Sequence, residues 1–287
     1  MTIAELVAPP RDVLERVRAA VEPSLRAALD ALPDETREVV EFGLRQQDFS
    51  TAALVLLSAE AFGGADVTAA ATALEFAALH ERLYADLANH ATGRRASVRA
   101  EFGDDRVVSA ADALLCLAFA RLVQHEVLIL NVALTSVVDG YVQELEMDDR
   151  ADVDLTEHLG VAAAKHSSLT AAACELGALA AGASRTQAGH LREFGDDVGL
   201  ARKHVDDVLA PHDRRSLPAA AVAAGAEDGR GWCVQQAELL HARALDHLRR
   251  AGLGEAGDLI GLAGAVTTAR CAPVVPAQTA VVRLTAG

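Results

Sequence analysis

Aromatic residues are scarce in this chain: they make up 3% of 287 residues, with a single tryptophan. Any core it builds is therefore aliphatic, drawn from alanine, leucine and valine, and a hydrophobic content of 51% supplies them amply. Alanine and leucine are strong helix formers, and alanine lets helices approach closely. No strand alternation or solenoid repeat is found. Cysteine is equally sparse. Cys116, Cys174, Cys233 and Cys271 are far apart, and no pair has metal-ligand or redox spacing. Positive charge is short as well. The 26 basic residues face 41 acidic ones, a net charge of −15. That argues against nucleic acid as a partner and against docking on anionic membrane. No uninterrupted apolar run is long enough to span a bilayer, and "MTIAELVAPPRDVLERV" lacks the pattern of a signal peptide. The expectation is a cytoplasmic protein with no transmembrane segment.

What the chain has is helical period. Pro9 and Pro10 open a helix near 11–30, and "LPDE" at 32–35 breaks it. The spacing predicts helices to about 45, over 50–62, and from a cap at Asp66 to about 90. Further helices are predicted near 106–121, 122–147, 154–182, 185–209, 217–224, 231–250 and 254–269. "NHATGRRASV" reads as a loop. Pro211 stops the helix before it. Residues 271–287, with two prolines and no helical period, read as a tail.

Two stretches carry the functional signal. Residues 83–89 run Leu-Tyr-Ala-Asp-Leu-Ala-Asn, and residues 202–210 run Arg-Lys-His-Val-Asp-Asp-Val-Leu-Ala. Each lies in helical text and looks like a degraded Asp-Asp-x-x-Asp metal motif. "ATGRRASVRAEFGDDRVVSAADALLCLAFA" follows the first, and "RRSLPAA" follows the second. In this order and spacing, from about residue 40 to 270, the chain resembles the trans-isoprenyl diphosphate synthase (polyprenyl synthetase) family. The resemblance implies an all-α, isoprenoid-synthase-type bundle of ten or more helices around a central cavity. It also implies one domain over residues 1–270, paired through helices. In the family, metal ions held by two facing aspartate motifs grip an allylic diphosphate and stabilise the departing pyrophosphate. Isopentenyl diphosphate then attacks the cation, and basic residues hold both diphosphates.

Against that pattern the metal-binding positions are depleted. The first motif reads Ala85, Asp86 and Asn89 where the family has aspartates, so only its middle carboxylate remains. The second keeps Asp206 and Asp207 and ends in Ala210, which leaves Asp206 as the one expected ligand for a hard cation such as Mg²⁺. The family's lysine and arginine positions before "ALVLL" hold Asp48, Phe49 and Thr51, and the lysine-bearing loop before Ser216-Leu217-Pro218 is absent. Arg94, Arg95, Lys165 and Arg214 match basic positions and are the candidate diphosphate-binding residues. Asp112 matches a retained aspartate, Gln143 and Glu146 resemble Gln-x-x-Asp, and His166 replaces a threonine.

Cations have been added at the same place. Arg82 precedes Asp86 by four residues, Arg202 precedes Asp206, and Lys203 precedes Asp207. Helical residues four apart share a face. A carboxylate held by a cation in a dry pocket is a poor metal ligand, because binding the metal strands the cation. The expectation is a metal cavity closed by ion pairs, although pairs of this spacing on a solvated face are common. His80, His90, His125, His166 and His204 form no metal-ligand set on a helix and are read as structural.

Two functions fit. One is a non-catalytic or regulatory partner of an active isoprenyl diphosphate synthase, as homodimer or heteromer, with no cofactor. The other is a diverged prenyltransferase or terpene-type enzyme acting on an allylic diphosphate, with cations standing in for metal, or Mg²⁺ if its half-motifs still work. Both allow an isoprenoid diphosphate ligand.

Overall fold

The structure is a computed structural model that describes residues 11–89, 97–148, 150, 152–210 and 215–267. Arg94, Arg95, Arg214 and the 271–287 tail lie outside the described residues. Among the described residues there are thirteen helices and no strand. In chain order they are α1 (Arg11–Leu29), α2 (Asp34–Leu44), α3 (Ser50–Glu60), α4 (Thr68–Asn89), α5 (Val98–Phe102), α6 (Asp104–Phe119) and α7 (Gln124–Asp148). Then come α8 (Leu155–His166), α9 (Ser168–Ala180), α10 (Arg185–Leu209), α11 (Leu217–Ala223), α12 (Gly229–Arg250) and α13 (Gly257–Thr267). The fold is all-α, as the sequence implies.

The aliphatic composition sets the packing. α3 and α9 are buried almost all round, and they pack on each other. At Gly177 an added Cβ would lie 2.2 Å from the Val55 carbonyl oxygen, so α9 rests directly on the α3 backbone. Phe76, Leu79 and Leu83 of α4 and Phe194 of α10 are fully buried in one core that runs from α1 to α13. Each such side chain contributes about 1.5–3 kcal/mol by leaving water. α10 begins at a capping box, in which the Ser184 hydroxyl accepts from Gln187 N–H and the Gln187 side chain accepts from Ser184 N–H. It ends at Ala210, whose extended backbone is what a residue before proline prefers.

Two local features depart from the periodicity. The helix expected over 154–182 is two helices, broken at Ser167. The Ser167 hydroxyl donates to Ala163 O, Ser168 to Ala164 O and Thr170 to Ser167 O, and such back-bonding bends helices. α10 packs into the bend through Gly199. The other departure is α5, a single turn inside the basic stretch, capped where the Ser97 hydroxyl accepts from Ala100 N–H.

α7 is the exception to burial. Leu128, Val132 and Leu145 are 61%, 60% and 68% exposed. By length and composition alone α7 could cross a membrane, and only 28% of its most apolar window is buried. Asn131, Thr135 and Asp139 interrupt its apolar run.

Candidate functional site

Charged side chains meet where α4, α7, α10 and the α8–α9 bend converge, with the α2–α3 turn closing one side. On α10, Lys203 Nζ donates to Asp207 Oδ1 at 2.6 Å, and Leu217 N–H donates to Asp207 Oδ2 at 2.9 Å. The Asp207 carboxylate thus ties α11 to α10. Arg202 Nε lies 3.7 Å from Asp206 Oδ2, but its strongest bonds leave the helix. Its two terminal nitrogens donate to Asp48 Oδ2 and Ser50 Oγ, both at 2.8 Å. Asp48 is pre-set for this, since its Oδ1 accepts from the Ser50 N–H and hydroxyl. Burial works against the Arg202 charge, yet Asp48 and Asp206 raise its pKa above the ordinary value. The position where the resemblance implies a diphosphate-binding lysine is therefore an anion turned onto a cation of α10.

On α4 the expected Arg82–Asp86 pair gives way to separate partners. Arg82 donates to the Gly43 carbonyl at 2.6 Å, among the electron-rich carbonyls that end α2. Asp86 accepts from the Ser97 hydroxyl at 3.0 Å and from Arg99 N–H at 2.9 Å, which anchors the start of α5. The carboxylate that α4 presents to α7 is Glu81. It accepts from the Tyr141 hydroxyl at 2.9 Å. Burial raises its pKa, against the pull of Tyr141, Lys165, Arg82 and Lys203. Glu81 lies one turn before Ala85 on the same face. Framed from Glu81, the degraded motif reads Glu81, Arg82 and Ala85: a carboxyl, a cation and a methyl. Asn89 ends α4, and its side chain lies outside the described residues.

α7 shows a similar displacement. Gln143 and Glu146 point to solvent, and Gln143 donates to Asp139. Tyr141 and Glu144 point inward. Two residues are about 200° of helix, so the inward pair at the same spacing is the one two residues earlier. Lys165, 7% exposed, donates to Glu144 at 2.7 Å and sits 4.1 Å from the centre of the Tyr141 ring. The chain has only two lysines, Lys165 and Lys203, and both are in this network. His166 is kept neutral by burial and by Lys203, Lys165 and Arg202. Asp112 is exposed on α6.

These residues do not fit a Mg²⁺ cluster. A hard cation wants several free carboxylate oxygens. Asp207 is divided between Lys203 and Leu217, Asp86 serves α5, Ala85 and Ala210 offer no ligand atom, and Glu81 is biased toward its protonated form. Four cations, Arg82, Lys165, Arg202 and Lys203, face six carboxyl groups: Asp48, Glu75, Glu81, Glu144, Asp206 and Asp207. The described part of the site thus has no surplus of positive charge to offer a diphosphate.

The lineage is clear. The polyprenyl synthetase family profile matches residues 51–216. The (2E,6E)-farnesyl diphosphate synthase of Mycobacterium tuberculosis (strain ATCC 25618 / H37Rv) is 31% identical over 226 residues, which cover 69% of this chain and 61% of that protein. The geranylgeranyl diphosphate synthase of Methanosarcina mazei is 31% identical over 170 residues, 55% of this chain and 52% of that one. The chain belongs to the polyprenyl synthetase family. It spans less than two thirds of the length of these relatives. The crystal structure of a polyprenyl synthetase from Streptomyces coelicolor A3(2) superposes with a TM-score of 0.78 at 24% identity, over 90% of this chain and 99% of that one. A geranylgeranyl pyrophosphate synthetase from Pyrococcus horikoshii Ot3 gives 0.80 at 17% identity, over 90% and 98%. At these identities the likeness is one of fold.

Proposed function

We propose that this protein is a non-catalytic or regulatory subunit that pairs with an active isoprenyl diphosphate synthase, in the cytoplasm. The observation that carries the reading is the engagement of both carboxylates of the second motif by cations of their own helix. Lys203 holds Asp207 at 2.6 Å, and Arg202 bridges Asp206 and Asp48. Metal binding at Asp207 would strand Lys203, while at Asp206 it would compete with the Arg202 charge, which keeps its bonds to Asp48 and Ser50. The exposed apolar side chains of α7, Leu128, Val132, Val138, Val142 and Leu145, support the pairing half of the proposal, since exposed apolar surface marks a contact surface. The same face would serve a homodimer or a heteromer.

A second reading, a diverged prenyltransferase or terpene-type enzyme, is favoured by one observation. Lys165, Lys203 and Arg202 all lie close to His166, where a phosphate could be drawn in their midst. The carboxyl groups beside them oppose it.

The two readings separate in a calorimetric titration of the full chain with inorganic pyrophosphate, with and without Mg²⁺. The subunit reading expects no saturable Mg²⁺-dependent binding. Metal-dependent binding at one site per chain would overturn it, and metal-independent binding would move the assignment to the second reading.

A further inference from the structure

The N-terminal half of α10, about three turns before Arg202, holds a second cluster that the synthase resemblance does not use. His190 and Glu193 stand three apart on α10, and His247 reaches them from α12, the helix packed most extensively against α10. One donor atom from each lies within 4.8 Å of the others. His190 Nδ1 is 3.2 Å and His247 Nδ1 is 2.9 Å from Glu193 Oε2. Bonds of 2.0–2.1 Å at tetrahedral angles put ligand atoms about 3.3 Å apart. The two distances to Glu193 are those of ligands around one small ion.

Two features of His247 point the same way. Its Nδ1 is buried and makes no hydrogen bond, although the Glu193 oxygen is at bonding distance. The two groups converge without the alignment that a shared proton requires. Its other nitrogen, Nε2, faces Asp197 Oδ2 at 3.7 Å, an electrostatic contact longer than a hydrogen bond, which would shorten when the ring turns onto an ion. The Asp197 carboxylate is itself fixed by Arg243, which donates to both of its oxygens. A carboxylate behind a ligating imidazole is the usual support of a histidine–metal bond, since it orients the ring and raises its basicity. Glu193 is 57% exposed and His190 24%, so an ion has an entry path and a position open to water.

We propose that His190, Glu193 and His247 bind a single Zn²⁺-class transition-metal ion that clamps α10 to α12, with Asp197 positioning His247. Two imidazoles and one carboxylate select such an ion over Mg²⁺ or Ca²⁺. The site is independent of the proposed subunit function.

The test is a titration of the metal-stripped full chain with Co²⁺, read by the visible absorption of tetrahedral cobalt, followed by displacement with Zn²⁺. The expected result is one equivalent bound, displaced by Zn²⁺ and unaffected by excess Mg²⁺. His190→Ala and His247→Ala should each weaken binding more than about 100-fold, and Asp197→Asn by about 10–100-fold. His125→Ala, at an exposed position on α7, should leave it unchanged. Circular dichroism checks each variant's fold, and the partly exposed His190 keeps the test decisive should His247→Ala fail to fold. Absence of stoichiometric tetrahedral binding, or binding retained in His190→Ala, would overturn the proposal.

Discussion

Lys203 Nζ lies 2.6 Å from Asp207 Oδ1 one helical turn away, and the Asp207 side chain is only 9% exposed. Removing one partner of a buried pair costs about 3–5 kcal/mol because the other charge is stranded. Lys203 is 23% exposed, so solvent screens part of that. Lys203→Ala should therefore destabilise the fold by about 2 kcal/mol in urea denaturation. Lys203→Met combined with Asp207→Asn, which keeps an acceptor for Leu217 N–H, should recover most of the loss. A neutral Lys203→Ala would mean that the pair is solvated and that Asp207 is free for other work.

Glu75 sets a pH dependence. It is 2% exposed and accepts one long hydrogen bond from Ala52 N–H at 3.3 Å. Burial, with Asp48 adding to it, pushes its pKa up from 4.5 to about 7. Between those values the folded chain keeps the proton and the unfolded chain has lost it. Its contribution to stability is thus fully present below about 4.5 and declines as pH rises toward about 7. Glu75→Gln should remove that slope. The variant should gain on the wild type across this window, by about 1.4 kcal/mol per pH unit at most, and hold the gain above it. Parallel denaturation curves at acid and alkaline pH check this, and a constant difference would contradict it.

The exposed face of α7 predicts an assembly phenotype. Leu128→Glu with Val132→Glu places charge on the apolar face without touching the core. Sedimentation velocity should show the wild type associating and the variant monomeric, with unfolding midpoints nearly equal. A monomeric wild type would leave a heteromeric partner as the remaining occupant of the face.

Two glycines of α10 should respond in opposite directions to the same change. At Gly199 an added Cβ would lie 2.3 Å from Thr170 Oγ1 and 2.7 Å from His166 O, inside the α8–α9 bend. Gly199→Ala should cost at least about 1–3 kcal/mol and loosen Lys165 and His166. At Gly189 nothing lies within 4 Å, so Gly189→Ala should stabilise by up to about 1 kcal/mol through helix propensity alone. Chemical denaturation of both variants reads the contrast.

Most of the fold was legible because the local signals agree. The Ala/Leu period, Asp66 before α4 and Pro211 after α10 placed those elements. The break at Ser167 was not legible, because a helix tolerates two serines unless their hydroxyls bond backward under packing, and that depends on α10. The site was half legible. Pairs on one helix, Lys203–Asp207 and Arg202–Asp206, follow from spacing. The Arg202–Asp48 bond joins residues 154 positions apart and follows from no local rule. Glu81, Tyr141 and Glu144 were missed because the motif was matched on aspartate and glutamine identity, whereas the face of the helix decides which side chain points inward. The His190–Glu193–His247 cluster escaped because its third member sits on another helix.

The central claim is that the carboxylates of the metal site are occupied by the protein's own cations. Prenyl transfer by the folded, purified full chain tests it most directly, with labelled isopentenyl diphosphate, each short allylic diphosphate, and Mg²⁺ present or absent. The account predicts no product from the chain alone under either condition. Mg²⁺-dependent product would contradict it, because it would require Asp206 or Asp207 to leave Arg202 and Lys203 for the metal.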